Sequence, residues 1–86
     1  MNHARLLSDV FDSLVTASAA LHRANIITNR LRDGLVRKNM APMITSSVLS
    51  QCIVAAIRLV HESMGNARSL EEELEKYEAV ANTVDP

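Results

Sequence analysis

Between residues 3 and 38 the apolar positions follow the period of an α-helix. Leu7, Leu14, Leu21, Thr28 and Leu35 recur every seven residues, and Val10, Ala17, Ala24 and Leu31 stand three further on, with Phe11 and Ile27 beside them. This spacing predicts one long helix with a coiled-coil-type seam through four heptads. The alanines and Thr28 suit that seam to close packing in a bundle rather than to an extended rod. Asn2 has the side chain of an N-cap. Gly34 costs about 1 kcal/mol inside the helix and marks a bend or a frayed turn.

The stretch 42–64, PMITSSVLSQCIVAAIRLVHESM, is apolar on nearly every side when wound as a helix. Val48, Cys52, Ala55 and Leu59 form one flank. Leu49, Ile53, Ala56, Val60 and Met64 form another, Ile44 and Ile57 widen it, and the polar residues keep only a narrow strip. Pro42 fits the first turn, and Asn39, Met40 and Ala41 form a connection short enough to make the two helices antiparallel neighbours. Gly65-Asn66 are residue types of a left-handed cap, and Ser69-Leu70-Glu71-Glu72 reads as a capping box opening a third helix to about Asn82. Leu70, Leu74, Tyr77, Ala81 and Val84 stripe it, and Thr83 to Pro86 read as a fraying end. The fold class is all-α: an antiparallel helical hairpin or a three-helix bundle, with helices at about 3–38, 42–64 and 69–82, in one domain spanning 1–86.

At 1.5 Å per residue these helices measure roughly 54, 34 and 21 Å, and they do not match. A third helix folded back on the first leaves the N-terminal turns projecting with Leu6, Leu7, Val10 and Phe11 uncovered. A third helix in line with the second gives a hairpin two helices thick whose second helix shows an apolar flank to water. Either leaves a contiguous apolar patch, the mark of an interaction site. A symmetric homodimer of four or six helices covers it at least cost.

Composition sharpens this picture. In 86 residues there is no Trp, one Phe and one Tyr, so the core is built of aliphatic side chains and is thin. Cys52 is the single cysteine, which excludes an internal disulfide and fits a reducing compartment. No apolar run marks a secretory signal, Gln51 and Arg58 interrupt the apolar helix against a membrane span, and the expected location is the cytoplasm. The formal charge of -1 gives no nucleic-acid or membrane signal, but the charge is polarised. Residues 22–40 sum to +4 and residues 62–86 to -5. Arg23, Arg30 and Arg37 stand seven apart along one edge, and Glu71 and Glu78 share that spacing, so folding back the third helix would bring the two edges together.

Candidate chemistry is sparse. The arginine edge could contact phosphates, yet a nucleic-acid binder wants a strongly positive domain or a recognition helix, and neither is present. His3, His22 and His61 are not spaced as metal ligands, and no cofactor motif occurs. His61-Glu62-Ser63-Met64-Gly65-Asn66 resembles the H-D/E-x-x-G-N/Q phosphoacceptor box of one class of sensor histidine kinases. The resemblance covers six residues and implies His61 as phosphoacceptor and Glu62 as the acid assisting its deprotonation. The same string also reads as a helix end, with a histidine favouring the dipole. The expectation is a non-enzymatic helical module acting as adaptor, small chaperone or assembly subunit. It would associate with itself or with another helical protein through Leu7, Val10, Phe11 and Leu14. The rivals are phosphotransfer through His61 and nucleic-acid binding through Arg23, Arg30 and Arg37.

Overall fold

The computed structural model describes residues 3–84, with side chains as far as Ala79. Asn2 as a cap, the side chains of Ala81 and Val84, and the end at Asp85-Pro86 lie outside the described residues. Two helices make up the fold: α1, His3–Arg37, and α2, Met43–Val84. They pack antiparallel along their length into a rod of 74 × 15 × 13 Å with a radius of gyration of 20.2 Å. A compact chain of this length would have a radius of about 12 Å.

The turn between the helices is fixed by its backbone. Asn39 sits at φ 50, the one positive φ among the described residues. Its N–H donates to the Val36 carbonyl at 3.0 Å, and the Met40 N–H donates to the Leu35 carbonyl at 3.0 Å. That pair is the Schellman closure, in which an asparagine tolerates the left-handed region that β-branched residues avoid. Three residues later the Pro42 carbonyl accepts from Ser46 N–H at 3.0 Å and starts α2. Ser46 and Ser47 both turn their hydroxyls onto the Met43 carbonyl, at 2.8 and 3.0 Å.

The third helix does not form as a separate element. Gly65 and Asn66 lie inside α2, and Gly65 has no positive φ. Ser69 does not cap; its hydroxyl donates back to the Gly65 carbonyl at 3.2 Å within the helix. Helix also runs on through Thr83 and Val84. The reason is tertiary. A glycine costs a continuous helix only about 1 kcal/mol, and continuing straight lets Met64, Ala67 and Leu74 meet α1, where Ala67 is buried. The three-helix bundle is thereby excluded, and the hairpin with an uncovered α2 flank stands.

The seam between the helices follows a strict seven-residue recurrence, but not with the companions expected from the sequence. On α1 the covered positions are Leu7, Phe11, Leu14, Ser18, Leu21, Asn25, Thr28, Arg32 and Leu35, with Asn29 and some alanines and a glycine at the margin. On α2 they include Met43, Ser46, Ser50, Ile53, Ile57, Val60, Met64, Ala67 and Leu74. Val10 and Leu31 point outward, at 46% and 56% exposure. Hydrogen bonding across the seam accompanies the offset. The Ser50 hydroxyl is buried and lies 3.1 Å from Asn29 Oδ1 and 3.5 Å from Asn25 Oδ1. A buried hydroxyl without a partner costs about 1–3 kcal/mol, and the asparagines supply one across the seam where the alanine row would not. At the loop end the buried polar residues Thr28, Ser46 and Ser50 are small, while Leu7, Ile57 and Ala67 are the buried apolar ones, and among the described residues no large side chain is completely enclosed.

Candidate interaction surface

A two-helix rod has two broad sides, and the histidines tell them apart. His22 and His61 follow seam residues Leu21 and Val60, and their rings are 6.1 Å apart, so both stand on one side. The Ser18 hydroxyl lies 3.4 Å from His61 Nε2. Rows that precede seam residues must occupy the other side, since successive helical residues are 100° apart. On α1 these rows are Val10, Ala17, Ala24 and Leu31, with Leu6, Ser13, Ala20 and Ile27 beside them. On α2 they are Leu49, Ala56, Ser63 and Leu70, with Cys52 and Leu59 beside them.

That second side is an apolar face shared by both helices. Leu6, Ile27, Leu49, Leu59 and Leu70 are all exposed, Leu59 at 63%, and the Cys52 thiol is open to solvent. From Leu6 to Leu31 on α1, and from Leu49 to Leu59 on α2, no charged side chain enters these rows. The histidine side differs. Val15, Ile26, Val36 and Ile44 are exposed there too, but they are interspersed with Arg5, Asp12, Asp33, Gln51, Arg58 and Arg68. Isolated apolar residues among charges are ordinary; an uncharged, largely apolar face is not.

The predicted site residues separate in the structure. Leu7, Phe11 and Leu14 turn toward α2, which runs past them, so the N-terminal turns of α1 do not project bare. The Arg68 guanidinium sits over the Phe11 ring at 5.8 Å, a cation–π contact worth about 0.5–1 kcal/mol at an exposed site. Val10 alone of the four faces outward. Arg23, Arg30 and Arg37 lie on the side of α1 away from α2, at the loop end, while Glu71 and Glu78 flank α1's first turns at the other end. The two edges are not brought together, because the folding back that would have joined them does not occur. Glu78 instead reaches His3, with Oε1 3.9 Å from Nδ1. His61 and Glu62 are exposed, and adjacent helical residues do not face each other.

Among the described residues no group of three or more His, Cys, Asp or Glu is placed to hold a metal. An open groove of about 430 Å³ at the free end has Leu7, Phe11 and Leu74 for its floor and Glu71, Glu75 and Glu78 on its rim. The polar pair of Ser50 with Asn29 is not evident from the sequence, because asparagines at helical spacing look like solvent-facing residues. Their interval of four, set against a serine-rich helix, is the available signal. Comparison with protein-family models, curated proteins and solved structures finds no match.

Proposed function

We propose that this chain is a non-enzymatic, cytoplasmic assembly module that works by protein–protein association through its apolar broad side, first of all with a second copy of itself. The observation that carries this is the uncharged, largely apolar face built from both helices, beside a seam half closed by serine and asparagine. The most oily side chains are outside. A compact monomer of 9.4 kDa has about 5,000 Å² of accessible surface, whereas this chain has 6789 Å². The excess is about 1,800 Å² per chain. That excess is spread over the whole rod, and a stable pair needs about 1,200–2,000 Å² buried in total from the two chains. Two hairpins stacked on this side make a coiled-coil-type four-helix bundle.

A bilayer is the competing cover, since Met43–Ala79 is long enough and contains a window of mean hydropathy 1.7, 17% of it buried. The neighbouring helix argues against it. The α1 segment level with that window carries Arg23, Arg30, Arg32 and Asp33, and α2 itself carries Arg58. Each such charge at a membrane centre costs about 2.5–3.5 kcal/mol or more.

The reading is tested by paired substitutions on the two sides. Leu31→Glu with Leu59→Glu should convert a dimer to monomer in light scattering, while Val15→Glu with Ile26→Glu on the histidine side leaves the mass unchanged. Equal loss from both pairs, or from neither, would refute a role for this face.

A further inference from the structure

The face also carries information on how a second copy lies against it. Its α1 row runs Val10, Ala17, Ala24, Leu31, and its α2 row runs Leu49, Ala56, Ser63, Leu70. Each reads large, small, small, large. The sequence of sizes is the same from either end, so an antiparallel pairing of each helix with its own copy sets large on large and small on small; a parallel pairing of α1 with the partner's α2 does so too, and the choice between them falls to charge. The midpoint of the first row falls at Ala20-Leu21, that of the second at Leu59-Val60.

These midpoints coincide along the rod. Ser18 stands opposite His61, and Phe11 opposite Arg68. In an antiparallel pair, two residues forward from Ser18 to Ala20 is two residues back from His61 to Leu59. The two rows are therefore symmetric about one common level.

Charge divides at the same level. Residues 21–59, the loop half, hold six bases and one acid, a net of +5. Residues 3–20 and 60–84, the other half, hold three bases and eight acids, a net of -5. A second copy laid parallel sets like halves together along the rod, and one laid antiparallel sets opposite halves together. Juxtaposed like charges suppress a docking mode, whereas complementary ones favour it and fix its register.

Resting on the self-association reading above, we infer that the occupant of the apolar face is a second copy in antiparallel orientation. Its two-fold axis crosses the rod at the level of Ala20-Leu21 and Leu59-Val60. With that axis in the plane of the interface, α1 lies on the partner's α1 and α2 on the partner's α2. The alanines at the centre allow close approach, and each Val10 meets a Leu31. A parallel dimer would instead set α1 on the partner's α2, with Val10 beside Leu70.

Cross-linking distinguishes these arrangements. In a Cys52→Ser background, Val10→Cys, Leu31→Cys and Leu70→Cys chains are prepared singly, mixed in pairs, unfolded and refolded together, and treated with a short bis-maleimide. The Val10→Cys and Leu31→Cys mixture should give covalent dimer. Val10→Cys alone should not, because its two copies stand about 32 Å apart along the axis. Dimer from the Val10→Cys and Leu70→Cys mixture, with none from the first, overturns the orientation while leaving association intact. Chains that stay at 9.4 kDa by light scattering overturn association itself. As an independent reading, antiparallel affinity must weaken as salt rises, and a strengthening would contradict it.

Discussion

Replacing Gly65 by alanine separates the continuous second helix from a broken one by the sign of its effect. In the structure Gly65 has a helical backbone, is exposed, and would present its new Cβ to open space, with nothing within 4 Å. Alanine exceeds glycine in a helix interior by about 0.8–1.0 kcal/mol, chiefly because the unfolded chain has less freedom to lose. For a domain of this size that raises the melting temperature by roughly 4–8 °C. Were Gly65 instead a left-handed cap ending a helix, the same alanine would cost about 1–2 kcal/mol and lower the melting temperature. Gly34→Ala is the internal control, since Gly34 is also helical with an open Cβ position. The two sites are far apart, so their effects should add. Melts are compared by circular dichroism at one chain concentration, because association makes the midpoint depend on it. A stabilised Gly34→Ala beside a destabilised Gly65→Ala would refute the continuous helix.

Other consequences follow from particular residues. Ile57→Ala removes one of the few buried apolar side chains and should cost about 2–3 kcal/mol, the low end of the range for such truncations since nothing around it is fully enclosed; urea denaturation measures it, and a change under about 1 kcal/mol would show that the seam contributes little. Cys52 lies on the apolar face, so its alkylation rate should fall about tenfold when nine-tenths of the chains are paired; a rate independent of concentration would place the contact elsewhere. Incubation with a phosphorylated small-molecule donor should leave the chain unlabelled, whereas acid-labile label abolished by His61→Ala would mean that the phosphoacceptor resemblance carries chemistry.

The helical class, the tight antiparallel connection and the excess of oily surface are all legible in residues 3–64, where the 3.6-residue period is sustained and prolines and glycines are nearly absent. The break that Gly65-Asn66 suggests does not occur, for a physical reason. Local cap chemistry is worth about 1 kcal/mol, and burying Ala67 and covering Met64 and Leu74 by running straight along α1 outweighs it. Asn39, a single residue in the connection, forms the left-handed cap instead. The row of Leu7, Leu14, Leu21, Thr28 and Leu35 lies in the seam as the periodicity puts it, but its companions are one position on, at Phe11, Ser18, Asn25 and Arg32, where Asn25 and the neighbouring Asn29 come within reach of buried Ser50. The offset turns Val10 and Leu31 from expected seam residues into surface ones, and it moves the candidate interface from the tip of α1 to the whole of one side.

Whether that side is covered in solution is measured most directly by sedimentation equilibrium of the unmodified chain over a wide concentration range. The predicted result is a species of twice 9.4 kDa that dissociates only on dilution. A fully helical species of 9.4 kDa at every concentration would contradict it.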